Sequence, residues 1–213
     1  MKDIKKRLID SSRTFKIANG RHELRTKDII YCSFVTKAIE ITRQEAQRDS
    51  EIRIRQFGLN NENLLGKTIL DLGSHCGAML FQLSNYPIKS GLGIEYDYDK
   101  VALAQDICTA SEIVNLKFVC ADLDKIDLLS IEAHDIVLAL AIEKHVKNQQ
   151  KLFEMIGMLT KNICCFEGNA GCNQDTVVSC LLSQGFKKVN FLGYCTDDIR
   201  PQNNRRPIFV AYK

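Results

Sequence analysis

Residues 68–77 read T-I-L-D-L-G-S-H-C-G, and they constrain the fold more than any other stretch. Ile69, Leu70 and Leu72 make a short apolar run that predicts a buried strand, with Asp71 near its end. Gly73 and Gly77 bracket a tight turn into residues 78–84, which read as a helix. A strand that stops at a glycine turn and restarts as a helix aims backbone N–H groups and a helix N-terminus at one point. Such a point suits a ligand with a polar tail.

Two further strands follow the same plan. Residues 90–96, S-G-L-G-I-E-Y, end in Glu95. Its distance from Gly73 is about the ~20 residues that separate a glycine turn from a ribose-binding acid in nucleotide-type α/β units. Residues 116–122, L-K-F-V-C-A-D, end in Asp122. The series D-L-G-S-H-C-G, G-I-E-Y-D and C-A-D-L resembles the successive motifs of the class I S-adenosylmethionine-dependent methyltransferases, over residues 66–213.

That resemblance implies S-adenosyl-L-methionine as cofactor and assigns the residues around it. Asp71, Gly73, Ser74 and Gly77 would lie beneath its methionine part, with Asp71 reaching the ammonium. Glu95 would accept both ribose hydroxyls, since a carboxylate offers two acceptor oxygens to a diol. Tyr96 would pack beside the adenine, Asp122 would accept from its amino group, and Leu123 would offer a backbone N–H. Ala139, at the end of the fourth strand, completes the cofactor side. His75 stands where the family pattern has a glycine. Histidine tolerates positive φ better than most residues, so the turn is expected to survive.

The rest of the chain alternates strand and helix. Strands are expected at 68–73, 91–96, 116–121, 135–141, 162–167, 188–194 and 207–212. Helices are expected at 77–85, 98–110, 148–160 and 174–184, with a short one near 125–130. The last two strands have no helix between them, so the seventh should run antiparallel to the sixth. The fold class is therefore α/β, a doubly wound Rossmann-like seven-stranded sheet with an antiparallel last strand. The resemblance adds the strand order 3-2-1-4-5-7-6.

Residues 1–60 read as a helical, basic extension before a cofactor-binding domain at 61–213. A short amphipathic helix is expected over 1–10, an irregular polar stretch over 11–25, and one long helix over 27–50 on the spacing of Ile30, Phe34, Ala38 and Ile41. Gln47, Arg48, Asp49 and Arg53 resemble a stretch that precedes the first strand in some methyltransferases acting on sugars and tRNA. An arginine there could approach the cofactor carboxylate or be a surface charge. Residues 1–56 hold 14 Lys/Arg and 8 Asp/Glu, and the remainder carries a small acidic surplus. That basic arm fits either a solvated helical surface or a grip on an anionic partner such as RNA.

Nine cysteines, an odd number, with Cys120, Cys164 and Cys165 inside apolar strands, predict buried free thiols in a reducing compartment, the cytoplasm. No C-x-x-C pair occurs, so no metal site is expected. No run of about 18 apolar residues is present, so no membrane span is expected.

The fourth strand's exit, A-L-A-I-E-K-H, is where the family places acceptor chemistry, and Glu143 and His145 are the candidate catalytic residues. Methyl transfer needs chiefly alignment, and an oxygen acceptor also benefits from a base such as His145. A capping or packing role for His145 remains open. Absence of N-P-P-Y or D-P-P-Y argues against adenine-N6 transfer, and absence of G-x-G-x-x-G argues against a nicotinamide enzyme. The arginines at 200, 205 and 206 are candidates to hold a phosphate or carboxylate, or simply members of a solvated loop. The leading expectation is a methyltransferase acting on a hydroxyl of a small-molecule or glycan-type acceptor. RNA methylation and a non-catalytic cofactor-binding scaffold are the alternatives, and the oligomeric state stays open.

Overall fold

The computed structural model describes residues 2–16, 22–24 and 29–213. Seven strands form the central sheet: β1 (Thr68–Leu72), β2 (Ser90–Glu95), β3 (Leu116–Cys120), β4 (His134–Leu140), β5 (Thr160–Glu167), β6 (Lys188–Tyr194) and β7 (Pro207–Tyr212). They lie in the order 3-2-1-4-5-7-6, as the resemblance implies. β7 runs antiparallel to both β5 and β6, and every other pairing is parallel. β6 and β7 span the predicted residues, and the other strands shift by no more than a residue or two.

The helices are α1 (Lys2–Arg13), α2 (Ser50–Gln56), α3 (Asn61–Leu64), α4 (Ala78–Leu83), α5 (Tyr98–Ala110), α6 (Gln149–Leu159) and α7 (Gln174–Ser183). Side-chain caps fix several starts. Asp97 accepts from Asp99 N–H ahead of α5, Asn148 from Lys151 N–H ahead of α6, and Asn173 from Thr176 N–H ahead of α7. α4 starts instead on Gly77, which takes φ +83°. A Cβ there would lie 2.6 Å from the Phe118 ring, so both the turn and the packing demand glycine. The expected helix near 125–130 is only a 3-10 turn, Leu128–Ser130.

The extension departs from expectation. α1 is present and amphipathic. Over the predicted long helix at 27–50, however, the described residues form short strands: Ile30–Cys32 pairs in parallel with Ala46–Arg48, and Phe34–Val35 with Glu40–Ile41. Residues 27 and 28 lie outside the described set. Within the stretch read as irregular, Thr14–Lys16 pairs with His22–Leu24, and 17–21 and 25 lie outside. Burial overrides the helical spacing here, because Ile30, Phe34 and Ile41 all enter the core that holds Leu8, Ile54, Ile69 and Leu80. Cys120 is a second correction: it sits on the edge strand and is exposed, whereas Cys32, Cys76, Cys164, Cys165 and Cys195 are buried free thiols.

Arg48 ties the extension to the sheet. Its side chain is 0% exposed. Nε and Nη2 donate to Asp197 at 2.7 and 2.8 Å, and Nη1 and Nη2 donate to both Glu167 oxygens at 3.0 Å. Arg53 Nη2 adds a 2.6 Å bond to Glu167, and Arg206 Nη1 lies 3.3 Å from the same carboxylate. Gln47 holds Asp198 beside them. Burial alone raises the Glu167 pKa, but Arg53 and Arg48 outweigh it and hold the carboxyl well below its usual range.

Removing one partner from such a buried set strands a charge, so Arg48→Leu should cost about 3–5 kcal/mol in urea unfolding. Lys6→Ala, which breaks an exposed pair with Asp10, should leave the curve unchanged within error. Glu167 has a depressed folded pKa. Its stabilising share is therefore complete above about 4.5 and lost as pH falls below it. A stability gap between wild type and Glu167→Gln that stays constant from pH 5 down to pH 3 would contradict that sign.

Candidate active site

The cleft lies at the carboxyl ends of β1, β2, β3 and β4, where the strand order switches. It takes its walls from Gly73, Glu95, Tyr96, Asp122, Leu123 and His145, among others. A smaller hollow adjoins it, sharing Tyr31, Gly73, His75 and Leu140, and adds Arg53, Asp71 and Ser74.

β1 sets the turn. Gly73 takes φ +78°, and a Cβ there would lie 2.5 Å from Ile142. Gly73 and Ser74 donate their N–H groups to Ile94 O at 2.8 and 3.0 Å, which folds the turn back onto β2. His75 follows at φ +52°, so the left-handed turn survives its substitution for glycine. Its N–H donates to Glu95 Oε2 at 2.9 Å, and Asp97 N–H donates to Glu95 Oε1 at 3.0 Å. The Glu95 carboxylate thus braces the turn through both of its oxygens while lining the cleft. Asp122 closes its own turn by accepting from Asp124 N–H. Asp124 in turn accepts from Lys147 and Asn148 N–H, which pins the β4–α6 connection to that rim.

The hollow is an opposed-charge pair. Asp71 is buried, and burial pushes its pKa from 3.8 to about 7; Arg53 pulls it down and Glu95 adds to the rise. Arg53 Nε and Ser74 Oγ are buried without a hydrogen-bond partner. Arg53 Nε lies 3.9 Å from Asp197 Oδ2, beyond hydrogen-bond distance, and buried polar atoms left this way call for an explanation in a native site.

The remaining candidates divide. Ala139 is fully buried inside β4 and does not line the cleft; Leu140, Ala141 and Ile142 do. Gly77 supports the turn from beneath. Ala141 takes φ +56° and donates its N–H to Glu167 O, which bends the rim. The two candidate catalytic residues are thereby separated. His145 lines the cleft. Glu143 is buried against the β5–α7 loop, accepting from Asn169 N–H through Oε1, while Oε2 has no partner. Burial raises its pKa. Arg206 turns inward to Glu167 and Arg205 stays exposed, so the three arginines do not converge. Tyr31 and Lys100 line the cleft without having been singled out. Tyr31 lay within the stretch read as helix, and its ring sits 4.7 Å from that of His75.

No family model matches the chain, and no curated protein does. Solved structures match over its whole length. The N-terminal domain of EvdMO1, crystallised in the presence of SAH and D-fucose, superposes with a TM-score of 0.67 at 16% identity, over 99% of this chain and 96% of that one. The fold is that of the class I S-adenosylmethionine-dependent methyltransferases. The full EvdMO1 chain is longer, and this protein spans 47% of it. Magnesium protoporphyrin IX methyltransferase from Synechocystis PCC 6803, with bound SAM, matches at TM-score 0.59 and 14% identity over 76% of each chain. The [4+2]-cyclase SpnF has the same methyltransferase fold, at 0.61 and 14% over 85% of each. Because a cyclase is among these neighbours, the reaction must be argued from the site.

Asp71 yields a signed prediction. A carboxyl raised on folding favours the protonated native state, so the share of wild-type stability set by Asp71 should fall as pH rises from 3.8 to about 7. Asp71→Asn lacks that dependence. Thermal melts of the two free proteins should therefore diverge across this window in favour of the variant and run parallel above it. A constant gap would contradict the assignment.

Proposed function

We propose that this protein is an S-adenosylmethionine-dependent methyltransferase acting on a hydroxyl of a small-molecule or glycan-type acceptor. The observation that carries the reading is the pairing of two chemically distinct ends in one continuous site. Glu95, Asp122 and Leu123 offer acceptors and apolar surface for a nucleoside. Asp71 and Arg53 offer a carboxylate and a guanidinium for a zwitterionic amino acid. The orphaned Arg53 Nε and Ser74 Oγ fit that end. On this reading the catalytic unit is residues 61–213 together with Tyr31 and Arg53 from the extension at 1–60. Nine free cysteines suit a reducing compartment, the cytoplasm.

When bound, the cofactor supplies an electrophilic methyl group on a sulfonium. The chain's own residues align and deprotonate. Glu95 holds the ribose diol and Asp71 the ammonium, while His75 and Tyr31 wall the passage between the two hollows. An imidazole nitrogen of His145 takes the acceptor's hydroxyl proton. Glu143 shapes the rim by holding Asn169.

Two observations favour a small acceptor over RNA. Lys5, Lys6, Arg7, Lys37, Arg48, Arg53 and Arg55 of the basic arm are paired with acids inside the molecule. The structural likeness to EvdMO1, crystallised with D-fucose, includes that arm.

Titration calorimetry tests the cofactor site. Glu95→Ala should weaken S-adenosylmethionine binding by about 1.5–3 kcal/mol, the range for hydrogen bonds to a charged group; unchanged affinity would remove the assignment. Turnover on a panel of sugars, phenols and tRNA tests the acceptor, with activity expected on a hydroxyl compound. Within the active pair, His145→Ala should lower kcat by roughly 10²–10⁴ and leave cofactor affinity intact. A variant that keeps kcat and loses affinity would make His145 a packing residue.

A further inference from the structure

β6 is an edge strand that is unusually apolar on its open side. Phe191 and Tyr194 are 45% and 48% exposed and meet edge to face at 5.5 Å. Phe191 also packs on Phe209, in the same cluster as Val177 and Leu181 of α7, so these aromatics lie on the α7 face of the sheet.

α7 extends the patch. Its buried residues, Val177 and Leu181, face the sheet. Its Gln184 lies toward α6, where a Cβ on Gly157 would sit 2.7 Å away. Its Gln174 lies toward β6, donating to Tyr194 Oη at 2.8 Å. At 3.6 residues per turn, the flank beyond Gln174 and away from α6 carries Asp175, Val178 and Leu182. Leu182 is 46% exposed. The exposed apolar residues along this strip are therefore Leu182, Phe191 and Tyr194, with Val178 half-buried against the core beneath them, and several large hydrophobics exposed on one face are more informative than one alone.

The ends of the strip differ in sign. Asp175 stands at the Tyr194 end, exposed and with no ion pair among the described residues. Lys187 stands at the other. It alternates with Val189 and Phe191 onto the same face, and it too is exposed without an ion pair among the described residues. A strip that is acidic at one end, basic at the other and apolar between is complementary to itself when a second copy is laid across it by a twofold rotation. The register shift between Phe191 and Gly193 interrupts the outer edge of β6, so contact through side chains is favoured over extension of the sheet.

We propose that β6 and the adjoining flank of α7 form an isologous interface with a second copy of this chain, apolar at its centre and closed at both ends by Asp175–Lys187 pairs between copies. Each single charge substitution then removes two symmetry-related pairs at once.

Sedimentation equilibrium of the full chain at micromolar concentration tests this. The expected mass is twice the 24.1 kDa of one chain. Leu182→Glu, at an exposed helix position that leaves the core intact, should give a monomer. Asp175→Lys and Lys187→Glu should each raise the dissociation constant about tenfold, and the two together should restore it. Circular dichroism melts establish that each variant is folded. A wild type that stays monomeric up to 100 μM overturns the proposal. So does a dimer indifferent to Leu182→Glu, or a double charge exchange that fails to recover.

Discussion

The buried guanidinium of Arg48 is the constraint on which the rest depends. It comes from the extension, yet its partners lie at the end of β5 and in the β6–β7 connection. Five hydrogen bonds among Arg48, Arg53, Glu167 and Asp197 hold these three regions in one arrangement. Arginine suits the position because its planar fork meets two carboxylates at once, which a lysine cannot do. Burying so many charges is costly, and a packed apolar set could match its stability. What the ionic set supplies is placement: it holds Arg53 with Nη2 on Glu167 and Nε 3.9 Å from Asp197, beside the hollow that it lines together with Asp71.

From that placement the polarity of the cleft follows. One end offers a buried acid and a buried guanidinium; the other offers Glu95 and Asp122 beside apolar walls. Glu95 connects structure to recognition, since the same carboxylate that receives His75 and Asp97 N–H groups faces the cleft. A change at Glu95 therefore alters the turn as well as the cleft wall. Desolvation raises the Asp71 pKa to about 7, so only part of the carboxyl is ionised at neutral pH. On the proposed reading, a ligand ammonium beside it would favour the ionised form and couple binding to proton release.

Much of this was legible in the sequence. Local chemistry defined β6 and β7, the glycine turn after β1, and the acids that end β2 and the β3 exit, because period-two apolar runs and glycine turns are local signals. Strand order came from the resemblance, which no spacing could replace. The extension was misread for a physical reason. Ile30, Phe34 and Ile41 recur at helical spacing, but the segment is held by contacts distant in sequence, Arg48 meeting Glu167 119 residues away. The rim was half legible. Glu143 and His145 lie two apart, yet the positive φ at Ala141 and the tie to Asn169 decide which faces the cleft. Tyr31 carried no local signal, since only the fold of the extension brings it over the cleft.

A crystal structure with S-adenosylhomocysteine bears most directly on the central claim, that one site joins a nucleoside end to a zwitterion end. The account predicts ribose hydroxyls within hydrogen-bond distance of Glu95, adenine beside Asp122 and Leu123, and the amino-acid end between Asp71 and Arg53. A ligand whose ribose lies away from Glu95, or whose carboxylate points away from the Arg53 hollow, would contradict it.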